Sequence, residues 1–268
     1  MKKHVLASII GATLMASASA SAHVEFDNSC DVDLSGDIQY QQGLLTVEMD
    51  KRNTMTIDED YNVSVNGERL DLTSEQQAWA EDYYGHIQEA IPLTIDIASE
   101  GLEIASVTVT EVFGELLGTD DSLIEDFNVL FSDMNDEIQA HFYDANGEFQ
   151  INTADLDEDG WMSDKWDNEF EEKVEEMVEK SMGKILIAVG TQMLWSDGNM
   201  DEFEAKMENF GESIEARVEE RAEGLEFKAE ALCNVLAKAD YAENQLANSV
   251  SELSALNILE VENNQQQM

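Results

Sequence analysis

Between Leu70 and Asp164 the chain runs for 95 residues with 24 Asp and Glu and no Lys or Arg. No lysine or arginine ion pair can form inside such a segment, and like charges at neighbouring helix or strand positions repel. It can fold only by burying a regular apolar stripe, turning its carboxylates toward water and relying on counter-ions. The imbalance extends to the whole chain, with 59 Asp and Glu against 14 Lys and Arg and a formal charge of −45 over 268 residues. A salty medium accounts for this acidity most simply, because the Debye length falls from about 8 Å at 0.15 M to about 3 Å at 1 M. Apolar residues still make up 43% of the chain, enough for a sizeable core. The charge excludes a nucleic-acid binder, since phosphate contacts need clustered Lys and Arg. It also works against docking on an anionic membrane surface.

Residues 1–22 read as a secretory leader. Lys2 and Lys3 form a basic start, an apolar stretch runs from Val5 to Met15, and Ala20-Ser21-Ala22 fits a small-residue cleavage site, with Ala18-Ser19-Ala20 as the alternative. Cleavage after Ala22 leaves a chain that begins at His23 and carries a charge of about −47. No Cys sits at that point to take a lipid anchor. No membrane span is expected later, because the apolar-rich stretch Leu93–Leu117 carries Asp96, Glu100, Glu103, Glu111 and Glu115. Cys30 and Cys233 remain, and in an oxidising compartment two cysteines near opposite ends of a domain read as one disulfide. The alternative is a pair of buried free thiols. Neither has the neighbours of a catalytic cysteine.

The spacing predicts an α+β fold, with a small N-terminal antiparallel sheet packed on long antiparallel helices. Residues 24–40 read as acidic and aperiodic. Three or four short strands follow over 44–72, where Met55 and Ile57 alternate with Thr54 and Thr56, and Asn66-Gly67 marks a two-residue hairpin. Thr73 with Gln76 forms a capping box for a helix running to about Ile91, where Pro92 is expected to interrupt it. Leu93–Leu117 mixes β-branched residues with a length that favours a helix, and helix is the reading chosen.

Three apolar stripes predict further helices: Leu123 to Phe142, Trp166 to Ile185, and Phe203 to Leu236 ending around Cys233. Val250, Leu253 and Leu256 suggest one more short helix, before a polar tail at 263–268. The organisation expected is thus a leader at 1–22, one domain over 23–262 that is mainly helical from 73, and the tail.

Several local features together resemble a known family. An early Cys follows the leader, and the β section ends in Val63-Ser64-Val65-Asn66-Gly67 and Leu70-Asp71-Leu72. A helix carries Gln77, Ala80 and Tyr84 up to Ile91-Pro92. Phe113-Gly114, Met182-Gly183-Lys184-Ile185-Leu186 and a late Cys complete the pattern. Over roughly residues 30–248 the chain resembles the YggN-like family, secreted bacterial proteins of unknown function from Gram-negative cells. The resemblance implies a periplasmic, mostly helical protein. It implies no activity and carries no catalytic residue.

The sharpest local chemistry is the run Asp155-Leu156-Asp157-Glu158-Asp159-Gly160-Trp161-Met162-Ser163. Calcium takes six to eight oxygens, and Asp155, Asp157, Asp159, Trp161 through its carbonyl, and Ser163 fall at EF-hand-like positions 1, 3, 5, 7 and 9, with the turn glycine at 6. Position 12, which should be a bidentate Glu, is Trp166, and no helix is expected before the loop. The competing reading is an acidic loop that caps the next helix through Ser163 or Asp164. His23, His86 and His141 show no ligand spacing for zinc or copper. No nucleophile elbow, P-loop or dinucleotide fingerprint occurs. Three functions are therefore weighed: a non-enzymatic periplasmic accessory protein acting on an unknown protein partner through helical surfaces, a Ca²⁺-responsive protein using the 155–163 loop, and an uncharacterised hydrolase. Only Ca²⁺ stands as a candidate ion, and no cofactor is called for.

Overall fold

The computed structural model describes residues 22–26, 30–50, 52–156, 160–195 and 200–263. Apart from Ala22, the expected leader lies outside them. The chain forms two compact units. The first comprises residues up to Ile91, Gln150–Gly160 and the chain from Glu230 on, and the second comprises Pro92–Phe149 and Trp161–Ala229.

The first unit holds every named strand. Strands β3 (Ile38–Gln41), β4 (Leu44–Asp50), β5 (Asn53–Ile57), β6 (Val63–Val65) and β7 (Glu68–Arg69) form an antiparallel meander. The short strand β8 (Ile151–Asn152) adds to the other edge beside β3, giving the order β7-β6-β5-β4-β3-β8. Period-two burial drives it: Leu45, Val47, Met55, Ile57 and Val63 are buried while Thr46, Thr54 and Thr56 are not. The β6–β7 turn is the predicted hairpin, with Asn66 at φ 52° and Gly67 at φ 81°.

A second, three-stranded sheet has the order β1-β2-β9, from β1 (Ala22–Phe26), β2 (Cys30–Leu34) and β9 (Leu259–Asn263). This corrects one expectation: residues 24–40 are not aperiodic but contain most of β1, all of β2 and most of β3, while the expected tail beyond Asn263 lies outside the described residues. Cys30 and Val32 are buried between Asp31 and Asp33, an alternation that the density of acids concealed. The β2–β9 register sets Asp31 against Glu262 and Asp33 against Glu260, like charges directly opposite each other. Between β2 and β3 the chain passes Gly36, where a Cβ would lie 2.7 Å from Ile258 Cδ1 and 2.8 Å from the Glu48 carbonyl oxygen. Only glycine fits that approach.

Helix α1 (Ser74–Leu117) begins at the predicted capping box: the Thr73 N–H donates to Gln76 Oε1 at 2.9 Å, and the Gln76 N–H donates to Thr73 Oγ1 at 3.3 Å. Pro92 does not end the helix, contrary to expectation; it lies within α1, and the division between the units falls immediately before it. Proline removes one backbone hydrogen bond, a cost that packing on both sides offsets: Ala90, Ile91 and Ile95 are all buried. The stretch 93–117 is helix as expected, and Ile95 and Leu102 are buried in it.

The second unit is built from the rest of α1, from α2 (Ser122–Phe142), from α3 (Trp161–Ser163) continued by a π-helical turn at Asp164–Phe170, from α4 (Glu171–Trp195), and from the first part of α5 (Met200–Ser249). Asp121 caps α2 through the Leu123 N–H, and Leu123, Phe127, Leu130, Met134, Ile138 and Phe142 are all buried as the spacing predicts. In the next stripe Phe170 and Ser181 are buried, but Trp166 is exposed. The third stripe belongs to α5, which does not end near Cys233 but continues to Ser249. The short helix expected around Val250–Leu256 is only a 3₁₀ turn at Ser251–Leu253.

The acid-only stretch is not left wholly to counter-ions. Within the second unit, cations from beyond it reach back. Lys165 pairs with Glu137 at 2.9 Å, Lys184 with Asp121 at 2.9 Å, Arg221 with Glu111 at 2.5 Å and Lys228 with Glu100 at 2.6 Å. The pairs from α5 to α1 run in opposite sequence order, so the two helices are antiparallel here. No helix among the described residues is long and apolar enough to cross a membrane.

Candidate functional site

Three places carry chemistry: the acidic loop, a buried carboxyl group and the exposed helical surface.

At the acidic loop, Asp155 lies in a 3₁₀ turn at Thr153–Leu156 and is half-buried. Asp157 and Asp159 lie outside the described residues. Gly160 is tightly placed, since a Cβ there would meet the Ala154 and Asp155 carbonyl oxygens at 2.6 Å. Asp155 and Gly160 belong to the first unit, Trp161 and Ser163 to the second. The Trp161 ring stacks on His141 at 3.9 Å and meets Phe142 edge-on at 5.9 Å. Ser163 has helical dihedrals and makes no side-chain capping bond, so the expected cap at that residue does not form. Among the described residues no three His, Cys, Asp or Glu side chains converge as metal ligands do.

The buried carboxyl group was not singled out by any motif. In the first unit, Glu243 of α5 is 1% exposed. Its Oε1 accepts the Ile258 N–H at 2.6 Å and the Leu259 N–H at 3.2 Å, fixing the entry to β9. Three residues earlier on α5, Asp240 accepts the Val261 N–H. Tyr83 of α1, fully buried, faces Glu243, yet its hydroxyl and Glu243 Oε2 both lack a formed hydrogen bond. Burial pushes the Glu243 carboxyl up to about 7, against the lowering effect of its two amide donors. Burial raises Asp240 too, and raises the Tyr83 phenol well above its ordinary value, helped by the charge of Glu243.

A perturbed acid is a usual mark of catalysis. This one is almost fully buried, and its Oε1 already holds two backbone amides. It is a latch. The disulfide between Cys30 of β2 and Cys233 of α5, with Cα atoms 6.1 Å apart, fastens the neighbouring strand to the same helix. Nearby, Tyr84 donates to the Gly43 carbonyl at 2.8 Å and lies 3.2 Å from the Tyr40 hydroxyl. Gln88 donates to Tyr40 Oη at 3.0 Å, so these phenols too are structural.

The exposed surface differs between the units. Among the described residues, the large apolar side chains that stand in water are Leu44 and Tyr241 in the first unit, and Val129, Trp166, Met182, Leu186, Ile187 and Phe227 in the second. All six of the latter are on helical segments, three of them within six residues of α4.

No curated protein and no solved structure matches the chain. The model of one family, described as "Protein of unknown function (DUF2884)", matches residues 30–259. That span begins at the first cysteine and ends at the first residue of β9, taking in both units, and the chain belongs to this family.

Proposed function

We propose that this is a non-enzymatic accessory protein of the periplasm that works by contact, through the helical surface of its second unit. One observation carries the reading: six of the eight exposed large apolar side chains among the described residues lie on the helices of that unit. Large apolar side chains exposed together on one helix, as Met182, Leu186 and Ile187 are on α4, favour an interaction site. The buried, amide-bonded setting of Glu243 removes the clearest candidate for acid–base catalysis and so favours the same reading over a hydrolase.

The periplasmic address rests on the leader-like residues 1–22 and agrees with the disulfide, which persists in oxidising compartments. The narrower kinship with YggN-like proteins belongs to the same reading. Intact mass of the protein recovered from a periplasmic fraction tests the address, with a chain starting at His23 expected. Co-purification of the native protein tests the role: a stoichiometric partner lost on substitution of Leu186 and Phe227, without loss of fold, is expected. Turnover of a small substrate with no partner would overturn it.

A second reading, weak Ca²⁺ binding at Asp155, Asp157 and Asp159, is supported by the crowding at Gly160, the turn position of an EF-hand-like loop.

A further inference from the structure

Helix α4 presents a two-part ridge to solvent. Its first turns expose Glu172, Glu175 and Glu179, and the same ridge continues into Met182, Leu186 and Ile187, which are 48%, 66% and 68% exposed. The opposite side of the helix is the packed one, with Ser181 buried and Val174, Met177 and Val178 half-buried. From Glu175 to Ile187 the ridge spans about 18 Å at 1.5 Å per residue. Among the described side chains beside the apolar half, the cation Lys184 is held by Asp121 of α2 at 2.9 Å, with a further contact to Ser122.

Resting on the reading of this unit as a contact surface, we propose that the α4 ridge binds a basic amphipathic segment of a protein partner. The apolar anchors of that segment seat on Met182, Leu186 and Ile187, and its Lys or Arg cluster lies along Glu172, Glu175 and Glu179. Charge selects this occupant. The second unit carries 33 Asp and Glu against eight Lys and Arg, so a second copy of the chain or an anionic bilayer is repelled where a cationic helix is attracted. Met182 and Leu186, one turn apart, form an apolar row of the kind along which a second helix packs. Apolar contact then supplies affinity, and the carboxylates supply orientation and a fast, salt-dependent encounter.

The test uses the full secreted chain and three synthetic 18-residue helical peptides. One carries Leu anchors at i, i+4 and i+7 followed by four Lys. In the second those Lys are Glu. The third is a scramble of the first. Binding is read by fluorescence anisotropy at 50 and 300 mM NaCl. The basic peptide is expected to bind, at least tenfold more tightly than the other two and more weakly at 300 mM. The double variant Leu186→Gln with Ile187→Gln should weaken binding at least tenfold with circular dichroism unchanged, and Glu175→Gln with Glu179→Gln should weaken it several-fold and flatten the salt dependence.

The proposal falls if the basic peptide does not bind, if the acidic peptide binds equally well, or if neither double variant changes affinity. It falls equally if sedimentation shows self-association through Leu186 and Ile187, or if phosphatidylglycerol vesicles bind in place of the peptide. Peptide binding mapped by crosslinking to Phe227 or Trp166 instead of α4 would overturn this site and leave the contact function standing. Absence of any apolar peptide from the whole second unit would remove both.

Discussion

The two units of this protein solve one problem in different ways. Each is strongly acidic, yet the first is fastened by a disulfide and a buried carboxyl group while the second carries its acids on the outside of helices. In the first, the disulfide and the Glu243 latch hold β2 and β9 to α5, and among its described residues only Leu44 and Tyr241 are exposed large apolar side chains. In the second, all-helical stripes supply the core and a few cations reach back to the acid stretch, leaving apolar side chains in water. On the proposed reading, the contrast is that of a scaffold and a contact surface. It also makes the units respond differently to reduction, pH and salt.

Reduction should separate them most sharply. The disulfide joins residues 203 apart in sequence, and the chain-entropy ceiling for so long a loop is about 5 kcal/mol. Urea melts with and without reductant are expected to differ by a large part of that. Hydrogen exchange should quicken across β2, β9 and the end of α5 while the amides of α2 stay protected. Equal loss of protection in α2 would show that the units are not independent.

The latch comes next. Glu243 keeps its proton up to about 7 when folded, and an unfolded carboxyl loses it near 4.5. Below that ordinary value both states are protonated and nothing is lost. As pH rises from there to 7 the folded state alone retains the proton, so stability falls, by about 3 kcal/mol when complete. Glu243→Gln keeps an acceptor for the two amides and cannot ionise. It should flatten this fall and be the more stable protein at pH 8. The second unit leans the other way, since its ion pair with Arg221 lowers Glu111, and the Leu123 amide with Lys184 lowers Asp121. Their contribution is present at neutral pH and is lost as pH drops through those lowered values. A native slope unchanged by the Gln substitution would disprove the latch.

Salt should act on both units, less strongly. Asp31 faces Glu262 and Asp33 faces Glu260 across the β2–β9 pair, and the second unit is short of cations, so screening relieves repulsion in each. Melting temperature is expected to rise with NaCl and β9 amides to gain protection. Against this trend, Arg221→Gln should cost about 0.5–1 kcal/mol at low salt and less at high salt, because a half-exposed pair is screened. A melting temperature that falls with NaCl would mean that the ion pairs outweigh the repulsion.

Much of this architecture was legible in the sequence because its signals are local. The β4–β7 meander followed from period-two alternation and Asn66-Gly67, the start of α1 from Thr73 and Gln76, and α2 from its stripe. What was missed depends on distant partners. Strands β2 and β9 each alternate acid and apolar residues, but so short a two-residue period is persuasive only when a partner strand is in view, and theirs is more than 200 residues away in sequence. Pro92 was read as a stop because the packing on both sides of it cannot be seen from one strand of sequence. Glu243 gave no signal at all: one acid among 59 is distinguished only by the amides that fold onto it.

The smallest expected effect sharpens the comparison at its finest point, since Asp155 belongs to the first unit while more of the chain's acids belong to the second. Three carboxylates followed by a crowded glycine suit a hard cation, but without a bidentate Glu at position 12 the affinity should be that of weak extracellular modules, about 10⁻³ M. At 1 mM Ca²⁺ such a site adds only about 0.4 kcal/mol to stability. Diffuse binding to so acidic a chain would add a background of its own, greater in the second unit, and high NaCl should suppress that background while sparing a coordinated ion. Melts at fixed 0.5 M NaCl, with and without Ca²⁺, therefore isolate the specific term, and hydrogen exchange assigns it to a unit. Asp157→Asn with Asp159→Asn removes two charges with little change in size. It should erase a Ca²⁺-dependent gain confined to the first unit and leave the response to NaCl in place. Identical Ca²⁺ responses from the native and double-Asn proteins would leave the loop as a turn between elements, and the first unit as scaffold alone.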